Sequence, residues 1–393
     1  LEMKKLALPS FYILFILLMF HALVPAQSEI IITESSFPEI RMTLADRQFT
    51  KMQNEKGNKM TLKEVNLDFN GNPAQVKDVH LRGKNTLNFI RKSFSIDLDE
   101  PLQVTIDGQA IDLKKFDLLN LAMDKNLWHN RWSFLMLSRL GIFPPVNSYC
   151  TVWINDQPQG IYLLVEKPQA AMGQFKSPYM IRRGEGHAID HEYRETSDKE
   201  ALKAYKKQYY DLYNTGQLKG KTLYDNLADK LNTESYFKWL AFNYFVKNGD
   251  YADELFLYID PNTDLFEVMA WDYDDLLMDY PHEGRTARYQ ILKDRMIFSL
   301  EDQLDKTIAA DDYVYEHYKR ILKMLLENID NAVLETLTQQ VLNELKVVGA
   351  HQKHAKVTRY LDKTPFKIEE AVYDMDRTVQ FLKLRRTVLL DEL

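Results

Sequence analysis

Asp250, Asp272 and Asp274 stand at the two ends of one short stretch, Asn248 to Asp275, which reads NGDYADELFLYIDPNTDLFEVMAWDYDD. Two apolar runs, Leu255 to Ile259 and Leu265 to Ala270, flank Asp260-Pro261-Asn262, and this composition predicts a β-hairpin. Pairing the runs carries Asp250 and Asp272 to the same open end. Carboxylates held there suit two tasks: one accepts a proton from an attacking hydroxyl, the other grips a divalent cation on a phosphate chain. Aspartates also collect at strand ends and turns for local reasons, so the hairpin alone leaves both readings open.

These groups need elements to hold them. Residues 29 to 50 read as a strand and a connector. From Lys51 to Leu113, alternating apolar positions broken by Gly57, Asn70-Gly71 and Asp107-Gly108 predict an antiparallel sheet, with strands clearest at Val79 to Gly83 and Phe94 to Leu98. Leu127 to Leu140 has helical spacing and stops at Gly141, and Ser148 to Val165 forms a second hairpin around Asn155-Asp156. After Ser197 the pattern turns helical: Asp198 to Asn214, Leu223 to Leu231, Thr233 to Val246, two helices within Tyr313 to Lys346, and Ile368 to Leu393. His187, His191 and the charged run to Lys207 read as an exposed loop and helix, with an acceptor-recognition insertion as the other reading. The order predicts an α+β, bilobal fold. A β-rich N-lobe covers 27–165 and a mainly helical C-lobe covers 166–393, with the acidic hairpin in the second and a ligand cleft between them.

Composition narrows the class. A length of 393 residues allows a large core, and 45% hydrophobic with 27% charged content is that of a globular chain. The net charge of −7 speaks against nucleic acid as a partner. Met3-Lys4-Lys5, the apolar run Leu6 to Val24 and Val24-Pro25-Ala26 make 3–26 a signal peptide cleaved after Ala26, so the protein is expected to be secreted, periplasmic or at the cell surface. Membrane contact is expected only through that segment if it stays uncleaved. Cys150 is the sole cysteine, which excludes an intrachain disulfide and a thiolate zinc site, and its apolar strand marks it as a small buried side chain.

Four blocks in order resemble the CotH kinase family, named for spore coat protein H, whose members have a divergent protein-kinase-like fold. The first is Leu81-Arg82-Gly83-Lys84-Asn85-Thr86 followed by Arg91-Lys92-Ser93-Phe94. The second is Asp124 to Gly141, with Asn130-Arg131 reversed from the family's order. Val152 to Asp156 with Gly160-Ile161-Tyr162-Leu163-Leu164-Val165-Glu166-Lys167 is the third, and Trp271-Asp272-Tyr273-Asp274 is the fourth.

The resemblance implies an exported atypical protein kinase, using ATP with Mg2+ or Mn2+ to phosphorylate Ser/Thr hydroxyls of a secreted or surface protein. By it, Asp250 is the catalytic aspartate and Asp272 the metal-binding one, with Asp274 as a second ligand or a cap. Lys92 is the lysine that contacts phosphate, and Arg82 reaches the phosphates from a turn whose Gly83 lets the backbone approach the nucleotide. Glu166 opens the connector where adenine would sit. Beyond the reversed Asn130-Arg131, the chain departs from the family pattern in two places that matter for the chemistry. Glu254 stands one residue early where an asparagine usually completes the metal site, though its oxygens remain hard ligands. The Leu127 to Leu140 helix has no acidic residue, so it offers no lysine–glutamate pair. The Glu254 change feeds a rival reading, a catalytically impaired kinase-like surface or envelope protein that binds a partner. Glycoside hydrolysis is a third class open to paired carboxylates, and the basic Arg82 and Lys92 block weighs against it.

Overall fold

The computed structural model describes residues 30–33, 36–124, 126–284, 294–351, 358–359 and 364–393, so the predicted signal segment 3–26 lies outside the described residues. Period-two alternation in the first half builds a ten-stranded sheet. Its path runs Thr61–Leu62, Val76–Arg82, Ser93–Ile106, Gln109–Leu119, Gln157–Glu166, Asn147–Ile154, Glu39–Thr43, Asn66–Phe69 and Asn72–Ala74, with Ile30–Ile32 parallel to Ser93–Ile106. Register fixes which side chains share a face. Arg82 pairs with Ser93, His80 with Ser95, and Ser95 with Asp117, so these line one polar face. Val79, Leu81, Phe94, Ile96 and Leu118 point the other way into a core of the sheet's own.

A second core belongs to the helices and to the other face of the strands Asn147–Ile154 and Gln157–Glu166. Tyr149, Ile161, Leu163 and Val165 enter it, while Cys150, Tyr162 and Leu164 enter the first. Cys150 is fully buried there, and burial pushes its thiol far up. Among the described residues the α-helices are Asp46–Asn54, His129–Arg139, Pro168–Gln174, Lys199–Asp211, Gly220–Ala228, Thr233–Val246, Gln303–Ala310, Asp312–Asn328, Asn331–His351 and Ile368–Glu392. Caps fix several starts: Asp198 accepts from Glu200 N and Ala201 N, Asn232 from Ser235 N, and Asp311 from Val314 N. Among the described residues no helix is long and apolar enough to cross a membrane. The result is α+β, with the sheet in the N-terminal half and the helices mainly in the C-terminal half.

Two segments differ from the sequence expectation. Asp46–Asn54 is a helix, because Phe49 and Met52 bury one side of it against the sheet. Tyr179–Arg183 and Ile189–Arg194 form a hairpin where an exposed loop was expected around His187 and His191. That hairpin pairs with Leu255–Ile259, which pairs with Phe266–Ala270, giving a four-stranded sheet of order Ile189–Arg194, Tyr179–Arg183, Leu255–Ile259, Phe266–Ala270. Its strand Tyr179–Arg183 is hydrogen-bonded on the other side to the acidic hairpin, a partner distant in sequence.

Candidate active site

The acidic hairpin forms in the expected register, Leu255 opposite Ala270 and Ile259 opposite Phe266. Its open end therefore gathers Asp250, Asp253 and Glu254 from one side and Asp272, Asp274 and Asp275 from the other. Helix Thr233–Val246 delivers the first group. It ends at Lys247, whose left-handed φ of 54° turns the chain, so the stop falls two residues before Gly249. Asn248 then orders the loop: its Oδ1 accepts from Asp250 N at 3.3 Å, and its Nδ2 donates to Asn243 Oδ1 at 3.1 Å.

Asp272 is held from beneath. Asp124 is fully buried, and its oxygens accept from the backbone N–H groups of Trp128, His129 and Asn130, which pins the start of helix His129–Arg139. Asn130 Oδ1 accepts from Tyr273 N at 2.9 Å, and His129 Nδ1 lies 3.2 Å from the carbonyl of Asp274. Two helix residues thus grip the backbone just after Asp272, which itself sits at φ 49°. Asparagine and aspartate tolerate this conformation better than other side chains.

Charge explains what the cluster can do. Burial raises the Asp272 carboxyl above its usual range; Arg82 and Arg182 pull it back, while Asp250 and Asp275 push it further up. Burial does the same to Asp274, reinforced by Asp272, Asp275 and Asp124. Glu254 is pushed up by burial and by Asp272, against Arg182, whose Nη2 donates to Glu254 Oε2 at 2.6 Å. Asp250 is more open, raised by burial and lowered by His282. A set of hard oxygen donors that repel one another is the environment a hard divalent cation stabilises. The ligands expected from the sequence, Asp272, Asp274 and Glu254, do not bring their oxygens together within 4.8 Å of one another, and Glu254 is paired with Arg182.

Arg82 meets this cluster from the sheet. Its Nε is 3.2 Å from Asp117 Oδ2, and its charge acts on Asp272. Gly83 follows with φ 105°, and a Cβ there would lie 1.8 Å from Thr86 Oγ1. Only glycine fits this turn. Gly83→Ala is expected to shift the Arg82 side of the turn, lowering stability by about 1–2 kcal/mol and weakening any nucleotide binding; thermal melts and a nucleotide titration check both.

Two predicted residues do not join the site. Lys92 shares the alternation of Phe94 and Ile96, so it points away from Arg82 and Ser93. Its ammonium donates to the carbonyls of Glu55 at 2.5 Å and Leu87 at 2.8 Å, and only 2% of the residue is exposed. Lys92 ties the Asn85–Asn88 turn to the end of the Asp46–Asn54 helix, the helix that the sequence did not reveal. Glu166 is likewise turned inward, accepting from Gln174 Nε2 at 2.9 Å and Val146 N at 3.4 Å. Burial pushes its carboxyl up to about 7 from 4.5. The folded state therefore disfavours the carboxylate, with no penalty below about pH 4.5 and the full one above about pH 7. Glu166→Gln is expected to stabilise the protein at pH 8 by up to about 3 kcal/mol, a gain that fades toward pH 4.5 in urea unfolding.

Sequence reasoning missed three polar groups on the sheet face of Arg82 and on the hairpin beside it. Lys167, one residue beyond Glu166, pairs with Asp97 on the same sheet face as Arg82 and Asp117. Arg182 and Tyr193 come from the unexpected hairpin. The Tyr193 hydroxyl is raised by burial and by Asp117, and lowered by Arg182 and Arg82. The apolar run Tyr179-Met180-Ile181 before Gly184 and Gly186 was the signal available for that hairpin. A groove of about 980 Å3 between helices Asn331–His351 and Ile368–Glu392, lined by Thr338, Leu342, Tyr373 and Val379 among others, contains none of these charged groups.

The protein is 23% identical over 341 residues to the inner spore coat protein H of Bacillus subtilis (strain 168), covering 80% of this chain and 87% of that one. Among solved structures, the Helicobacter pylori proinflammatory kinase CtkA aligns at 11% identity and TM-score 0.30, over 76% of this chain and 94% of that one. The pattern of the family described as CotH kinase protein matches residues 79–389, which include Arg82, Asp250 and Asp272. The chain belongs to the CotH kinase family.

Proposed function

We propose that this protein is an exported atypical kinase that moves the γ-phosphate of ATP to Ser/Thr hydroxyls of secreted or surface proteins. The observation that carries this reading is that the charge of Arg82, from the sheet, acts on Asp272 at the open end of the acidic hairpin, beside Asp250, in a member of a kinase family. Asp250 accepts the acceptor hydroxyl proton as that oxygen bonds to the γ-phosphorus and the β–γ bridging bond breaks, releasing ADP. Arg82 steadies phosphate oxygens, with Arg182 facing the same carboxylates. Asp272, Asp274 and Glu254 are the residues that would hold a divalent cation, which when bound would neutralise phosphate charge. Similarity to a spore coat protein supports the surface location.

The ion pair between Glu254 and Arg182 favours a second reading, a binding module that has lost transfer. Labelled ATP with Mg2+ or Mn2+, alone and with casein-like acceptors, separates the two. Label transfer supports the kinase, binding without transfer supports the module, and absence of nucleotide affinity removes the kinase and leaves the partner-binding classes.

A further inference from the structure

The segment that leaves the acidic hairpin is laced back onto the loop carrying Asp250. Leu277 N donates to Val246 O at 3.0 Å, Met278 N to Lys247 O at 3.1 Å and His282 N to Gly249 O at 3.0 Å, while Gly249 N donates to Asp275 O at 2.9 Å. Gly249 allows this approach, because a Cβ there would lie 2.8 Å from Met278 Cγ and 3.5 Å from His282 Cδ2. The backbone ties set one imidazole between two carboxylates. His282 Nδ1 lies 3.2 Å from Asp250 Oδ1, and Nε2 lies 2.8 Å from Asp275 Oδ2.

Protonation follows from that geometry. A neutral imidazole has one N–H and can donate to only one of the two oxygens, whereas the imidazolium donates to both. The surrounding charges agree. Glu283, next in sequence, is turned to Ser299 Oγ and Leu300 N, and Lys247 faces Asp279. Asp250 from the loop and Asp275 from the hairpin exit are the groups that act on the ring. Burial lowers its basicity, but these two carboxylates more than offset this and raise it above 6.5.

Resting on the kinase reading, we infer that His282 is a positioning residue for the base: its imidazolium fixes the orientation of the Asp250 carboxylate through Nδ1 and is anchored by Asp275 through Nε2. An isolated exposed ion pair would contribute little. This one is two-sided and fastened through the backbone to the residue preceding Asp250.

The test uses the full chain and His282→Gln and His282→Arg variants, with kcat and both KM values measured from pH 5.5 to 9. Parent kcat is expected to fall as pH rises through a value above 6.5, where the ring loses its second proton. His282→Gln is expected to lower kcat about tenfold at neutral pH with the KM for ATP unchanged. His282→Arg, whose guanidinium serves both carboxylates at every pH, restores kcat to within about threefold and abolishes the alkaline fall. Histidine-labelled NMR, with the signal assigned by its loss in His282→Gln, is expected to show both ring nitrogens protonated at pH 7 in the parent. A neutral ring at pH 7 overturns the clamp. So does a His282→Gln variant that matches an active parent in kcat and pH profile, and this leaves the kinase reading intact. A folded parent that transfers no phosphate removes the kinase reading, and this inference with it.

Discussion

Asp272→Asn is expected to stay folded and lose phosphate transfer by about 10³-fold, together with its metal-dependent nucleotide binding. Asp250→Asn should bind nucleotide and metal like the parent and lose transfer by about 10²- to 10⁴-fold. The split follows from position. Asp272 is partly buried among carboxylates and arginines, where removing a negative charge removes the attraction for a cation. Asp250 is half-exposed at the loop, where an acceptor hydroxyl can reach it, and its loss leaves Asp272, Asp274 and Glu254 in place. Asparagine is the right probe at position 272, because it accepts the left-handed backbone that alanine would strain. Equilibrium binding of labelled ATP with and without Mg2+, beside single-turnover transfer, reads the two effects separately. Equal loss of binding in both variants would reverse the roles assigned to them.

Glu344→Ala is expected to be the most destabilising single change, at about 3–5 kcal/mol in urea unfolding. Arg131 is 1% exposed and all of its donors are engaged. Nε and Nη2 donate to Glu344 at 2.8 Å each, Nη1 to the Asn147 carbonyl and Oδ1 at 2.6 and 2.9 Å, and Nη2 also to Asp107 at 2.9 Å. One guanidinium thereby joins helix His129–Arg139, helix Asn331–His351, strand Asn147–Ile154 and the tip of the Ser93–Leu119 hairpin. Truncating Glu344 leaves a buried cation with Asp107 as its remaining counter-charge. Glu344→Gln, which still offers an oxygen, should cost less, and an equal loss for both would argue against charge as the cause.

The Asn130-Arg131 pair shows what could be read from sequence and what could not. Its reversed order looked like a departure from the family, yet the structure gives each residue a separate task, Asn130 on the Tyr273 backbone and Arg131 on Glu344. Glu344 lies 213 residues away, and no local pattern announces such a partner. The acidic hairpin was legible because strand pairing and turn are local, so the placing of Asp250 and Asp272 at its open end could be read from sequence. Lys92 was misplaced for the opposite reason. Its direction depends on register against Val76–Arg82 and on a helix at Asp46–Asn54 whose burial is tertiary. Arg182 was missed because its strand exists by pairing with Leu255–Ile259, a contact across more than seventy positions.

The enclosure of Cys150 has a practical consequence. A thiol shut inside the sheet and starved of its thiolate form will not react with maleimides while the protein is folded. The native chain is therefore blank to sulfhydryl dyes, and one cysteine placed on the outer surface of the sheet and another on a far helix would carry fluorophores without background. The distance between them would report directly whether the two halves draw together when a nucleotide arrives.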